Sequence, residues 1–80
     1  MKENEIKQEL YALLQQIAPE TEPSALAPDE NIKESLDIDS FDTLRFIVSV
    51  NEKFEIEIPE EDYGKITTIG LLTNYIQKKM

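Results

Sequence analysis

The sequence predicts an all-α fold, a small helical bundle. Apolar residues recur every three or four positions along most of the chain, and prolines with acidic residues divide that pattern into separate runs. The one alternating stretch has no second strand with which to pair. A chain of 80 residues can bury one core and not two, so a single domain over 1–80 is expected.

The spacing predicts a first helix over about 4–18, where Ile6, Leu10, Leu13, Leu14 and Ile17 form one apolar stripe and Pro19 follows as a stop. "PETEPSALAPDENIKESLDI" then carries Pro19, Pro23 and Pro28 among scattered acids and reads as a long connecting loop. Leu26, Ile32, Leu36 and Ile38 are spaced apolar anchors that should tie this loop to the core. A second helix is expected from Ser40 to Phe54 or Glu55. "EIEIPEED" alternates briefly but contains Pro59, so an extended link into one helical turn around 60–63 is expected rather than a strand. Thr67 or Thr68 caps a last helix, in which Ile69, Leu72, Tyr75 and Ile76 are apolar and Lys78 and Lys79 suit the C-terminal end of the dipole.

Composition excludes several functions. Seventeen acidic against 8 basic residues give a net charge of −9, which repels phosphate backbones and anionic membranes and favours basic protein surfaces. No nucleic-acid partner is expected. Cysteine and histidine are both absent, so the chain has no disulfide, no protein thiol, none of the common zinc ligands and no general base of ordinary neutral pKa. Neither an enzyme nor a metal centre is expected. No apolar run approaches membrane-spanning length, and "MKENEIKQEL" lacks the apolar segment of a signal peptide. A cytoplasmic, free-standing monomer without membrane insertion is the expectation.

The helix from Ser40 carries more apolar residues than one face can hold. At about 100° per residue, Phe46, Ile47, Val50 and Phe54 cluster on one side as the core stripe, while Phe41, Leu44 and Val48 fall nearly opposite. Arg45 and Glu52 lie on that outer side with Asp42 and Ser49 nearby, and charged side chains are rarely buried unpaired. The outer stripe therefore points to a patch for a partner protein or a bound chain, the alternative being packing under the long loop.

Ser40 stands where this helix begins, between Asp39 and Asp42. Asp39 or Ser40 can accept a hydrogen bond from a first-turn N–H as a cap, which needs no function. The same position favours a phosphate group, because free N–H groups and the positive end of the dipole face it. Local physics leaves both readings open.

From Ser35 to the C-terminus the chain resembles the acyl carrier protein family. "DSFD" at 39–42 is similar to the family's Asp-Ser-Leu attachment motif, and it is followed at the family's spacing by a helix ending in Phe54, by "IEIPEED" at 56–62 and by "KITTIG" at 65–70. The resemblance implies a four-helix bundle with a long first loop and a short third helix. It makes Ser40 the attachment site of 4′-phosphopantetheine delivered from coenzyme A by a phosphopantetheinyl transferase, with Asp39 positioning the serine. Acyl groups would ride as thioesters on that arm to the acyl-transferring and synthase enzymes of fatty-acid, polyketide or related biosynthesis. Phe41, Asp42, Leu44, Arg45 and Val48 would face partners; Phe46, Ile47, Val50, Phe54, Ile66, Leu72 and Ile76 would line the core that shelters an acyl chain.

Three departures from the family pattern stand out. Asp37 occupies a position often held by glycine, Phe41 replaces leucine after the serine, and Arg45 stands at a commonly acidic position. Over 39–54 the acids Asp39, Asp42 and Glu52 against Arg45 and Lys53 leave a net charge of −1, which suggests dedicated partners rather than generic ones. An aminoacyl or peptidyl carrier and an unmodified interaction module are the alternatives. A calcium loop starting at Asp37 fails, because Phe41, Asp42 and Val48 stand where a ligand, a glycine and a glutamate are needed.

Overall fold

The computed structural model describes residues 2–80. In chain order they form α1 (Glu3–Ile17), a 3₁₀ turn (Pro23–Ala25), α2 (Ile32–Leu36), α3 (Ser40–Phe54), a second 3₁₀ segment (Glu60–Lys65) and α4 (Ile69–Lys79). The only strand-like pairing among the described residues is an isolated antiparallel bridge between Asn31 and Thr68. The structure is thus the small helical bundle that the periodicity predicts, with α1 packed on both α3 and α4.

One expectation is corrected. The segment read as loop throughout contains α2, five residues long, opened by Asn31, whose side chain accepts from the N–H of Glu34 at 2.9 Å. Five residues hold too little of the 3.6-residue period for a stripe to be recognised. Boundaries elsewhere move by little: the expected turn around 60–63 extends to Lys65, and Thr68 rather than Thr67 caps α4, accepting from the N–H of Leu71 at 3.1 Å.

A single apolar cluster joins the elements. Ile6, Leu10 and Leu14 from α1 meet Val50 from α3 and Ile69, Leu72 and Ile76 from α4, all fully or almost fully buried. Burying a side chain of this size stabilises the fold by roughly 1.5–3 kcal/mol. The long connection is bound to this core at several points. Leu26, Ile32 and Ile38 are buried, and Tyr11 Oη donates to the carbonyl of Leu26 at 3.0 Å. Gly70 N–H donates to the carbonyl of Pro28 at 2.9 Å, and a Cβ at Gly70 would stand 3.2 Å from that oxygen, so glycine permits the close approach. Ile32 N–H donates to Thr67 O at 2.9 Å and ties the start of α2 to the start of α4.

The extended link follows a left-handed residue, Glu55, at φ 54°. Asn51 Oδ1 accepts from the N–H of Ile58 at 3.2 Å, and Ile58 is buried. Behind the second 3₁₀ segment, Tyr75 Oη donates to Asp62 Oδ2 at 2.7 Å, and Lys65 pairs with the other carboxylate oxygen at 3.3 Å. The hydrogen bond to Asp62 pushes the Tyr75 hydroxyl up to about 12, and the same bond is the main cause holding the Asp62 carboxyl below its usual value. No helix among the described residues is long and apolar enough to cross a membrane.

Candidate functional site

The cap of α3 is Asp39. Its backbone is extended, φ −84° and ψ 177°, and its Oδ1 accepts from the N–H of Asp42 at 2.8 Å. Thr43 closes the turn from the other side, its hydroxyl donating to Asp39 O at 2.9 Å. With the cap supplied by its neighbour, Ser40 is the first helical residue, exposed at the end of a fifteen-residue helix. Its Oγ is not used as a cap and instead accepts from Lys33 Nζ at 2.8 Å.

Lys33 reaches Ser40 because the chain reverses sharply between α2 and α3. Asp37 ends α2 in the left-handed region, φ 53° and ψ 42°, and Ile38 N–H donates back to Lys33 O at 3.1 Å. This is a Schellman-type stop, and Ile38 just beyond it is buried. Glycine takes this conformation at no steric cost, whereas a side chain pays about 1 kcal/mol, least for aspartate and asparagine. The departure noted in the sequence at Asp37 therefore falls on a position with a stated backbone demand.

Ser40 stands on the rim of a cavity of about 410 Å³. Ile32 and Lys33 from α2, Leu44, Phe46 and Ile47 from α3, Tyr63 from the second 3₁₀ segment, Ile66 just after it and Leu72 from α4 contribute to its walls. The buried part of the lining, Ile32, Phe46, Ile47, Ile66 and Leu72, is apolar, and Asn31, Glu34, Thr43, Glu60 and Thr67 join Lys33 and Ser40 as its polar part. A largely apolar pocket lined in part by the exposed Ser40 can shelter a flexible apolar chain anchored on that hydroxyl.

Of the seven residues assigned to the acyl shelter, Phe46, Ile47, Ile66 and Leu72 line this cavity. Val50, Phe54 and Ile76 are buried, but they pack in the core away from it. Ile32, Lys33, Thr43 and Tyr63 line it without having been singled out for it. Their pattern carries no periodic signal, since Lys33 meets Ser40 only through the reversal at Asp37.

The other face of α3 is open. Phe41 is 69% exposed and Leu44 and Val48 are each 46% exposed, so the outer stripe is not packed under the loop. Beside it Arg45 pairs with Asp42 at 3.4 Å, a surface pair within one helical turn. Leu44 belongs to both surfaces, half-exposed on the outside and part of the cavity wall within.

The family model described as a phosphopantetheine attachment site matches residues 8–76, most of the chain. A meromycolate extension acyl carrier protein of Mycolicibacterium aurum is 36% identical over 75 residues, which are 90% of this chain and 77% of that protein. An acyl carrier protein of Rhodococcus erythropolis is 35% identical over 75 residues, covering 90% of this chain and 82% of its own length. Among solved structures, an acyl carrier protein from Enterococcus faecalis superposes with a TM-score of 0.75 at 28% identity, covering 100% of both chains.

Proposed function

The chain belongs to the acyl carrier protein family, and on that premise we propose that Ser40 is its phosphopantetheine attachment residue. The observation that carries this reading is the serine hydroxyl itself: exposed on the first turn of α3, released from capping by Asp39 and set on the rim of an apolar cavity. A cation at 2.8 Å and the N-terminal end of a helix suit the negative charge that attachment brings.

In that attachment Ser40 Oγ bonds to phosphorus, the pyrophosphate linkage of coenzyme A breaks, and adenosine 3′,5′-bisphosphate leaves. The serine proton passes to a base of the phosphopantetheinyl transferase. Among the described residues the group hydrogen-bonded to Ser40 Oγ is the Lys33 ammonium, which donates and cannot accept. On this reading the protein acts as a carrier. Once attached, the arm supplies a terminal thiol that holds acyl groups as thioesters. Ile32, Phe46, Ile47, Ile66 and Leu72 exclude water around an acyl chain that folds back, and the exposed Phe41, Leu44 and Val48 meet the transferase and the acyl-transferring enzymes. The continuous core from α1 to α4 supports one carrier domain.

Intact mass spectrometry tests the assignment, with the protein incubated with coenzyme A, magnesium and a transferase, and Ser40→Ala in parallel. The wild type is expected to gain one phosphopantetheine and Ser40→Ala none. Equal gain by both moves the attachment elsewhere, and no gain with the transferase of the native host sinks the reading.

A further inference from the structure

Four cations among the described residues pair with carboxylates: Lys7 with Glu3, Arg45 with Asp42, Lys53 with Glu9 and Lys65 with Asp62. Lys33 differs from them and, like Lys2, Lys78 and Lys79, has no ion pair among the described residues. Glu34 is adjacent in sequence and Asp37, Asp39 and Asp42 follow closely, yet among the described residues no carboxylate stands within ion-pair distance of its ammonium. Its hydrogen bond goes to the neutral hydroxyl of Ser40. Of the acids flanking Ser40, Asp39 accepts from the N–H of Asp42 and Asp42 pairs with Arg45.

We propose that Lys33 is the counter-ion of the phosphodiester on Ser40, a positioning residue that holds the root of the arm against α2 at the cavity mouth. The inference rests on Ser40 being the attachment residue. Phosphorus bonds to Oγ, so the anionic oxygens lie two bonds from an atom that the ammonium already touches. Replacing a neutral acceptor by an anionic one strengthens the bond and compensates a charge that the apo protein leaves unpaired. The first-turn N–H groups of α3 favour the same anion from the other side. Direction follows from placement: Lys33 is part of the cavity wall, whereas Phe41 and Val48 are not, so the pair draws the arm towards the cavity and away from the outer face of α3.

The test is phosphorus NMR on the holo forms of the wild type, Lys33→Arg and Lys33→Met, followed from low to high sodium chloride. An exposed ion pair is screened by salt, so the phosphodiester resonance of the wild type and of Lys33→Arg is expected to move with salt concentration. In Lys33→Met it is displaced at low salt and the salt response is lost. Amide resonances over Ile32–Leu36 shift from apo to holo in the wild type and stay in place in Lys33→Met. Unchanged dispersion of the apo Lys33→Met spectrum establishes that the variant is folded. A Lys33→Met holo protein with the wild-type resonance and salt response overturns the counter-ion. Absence of any phosphopantetheine on the wild type overturns the attachment reading instead, and intact mass separates the two failures.

Discussion

Phe46 and Phe41 belong to the same helix, yet one is 2% exposed and the other 69%. The inner face of α3, with Phe46, Ile47, Val50 and Phe54, closes the core and part of the cavity; on the outer face Phe41 and Val48 line neither, and only Leu44, itself half-exposed, reaches the cavity wall. Residues of the same apolar chemistry thus answer to different demands, folding on one side and, on the function proposed above, recognition on the other. The hydrophobic effect does not distinguish the two faces; only the neighbours do.

The sharpest way to break this contrast is truncation on the inner face. Phe46→Ala is expected to destabilise the protein by about 3–5 kcal/mol, since it removes a buried ring and leaves a cavity. Urea denaturation measures this, and a loss no larger than that of an exposed residue would remove the inner face from the core. The junction of the two faces comes next. Asp39→Ala should cost about 1 kcal/mol by orphaning the N–H of Asp42, with Asp39→Asn close to wild type. Thermal unfolding of the three proteins decides whether the cap is as described.

On the outer face, Phe41→Ala is expected to leave stability within about 0.5 kcal/mol of wild type. The same variant should lower the specificity constant for transferase modification by about fivefold, the loss of roughly 1 kcal/mol of interface contact. A stability loss comparable to that of Phe46→Ala would mean the two faces do not differ. The smallest effect concerns α4 and the second 3₁₀ segment, where Tyr75 holds Asp62. Because the Asp62 carboxyl is held below its ordinary 3.8, its contribution is complete above that value and is lost as pH falls through the lowered one. Because the Tyr75 hydroxyl is raised from 10.0 to about 12, its contribution is complete below 10.0 and is lost as pH rises towards 12. Tyr75→Phe should flatten the stability profile at both extremes while leaving its slope at neutral pH unchanged, as pH-dependent calorimetry would show.

The faces of α3 were legible in the sequence because fifteen residues sample four helical turns, enough for two stripes to separate. The helix start was legible too, although the choice between Asp39 and Ser40 as cap was settled only by the backbone. α2 was not read, yet its start carried a signal: "NIKE" at 31–34 sets a capping side chain three residues before a glutamate. Tyr75 and Asp62, and likewise Lys33 and Ser40, were not legible as pairs. Thirteen and seven residues separate them, neither a spacing that a single helix would bring together, and turns outside the regular elements set both contacts.

The connection between α1 and α3 has a consequence for proteolysis. It carries three prolines and several exposed acids, the composition of a segment that a protease should open first. Its backbone is nonetheless occupied. Gln15 Nε2 donates to the carbonyls of Pro19 and Thr21, Tyr11 to Leu26 O, Gly70 to Pro28 O, and Ile32 N–H pairs with Thr67 O. A protease needs several consecutive residues released into an extended strand, and freeing them here means detaching α1 and α4 as well. Cleavage in this segment therefore reports the opening of the whole fold rather than the fraying of a loop.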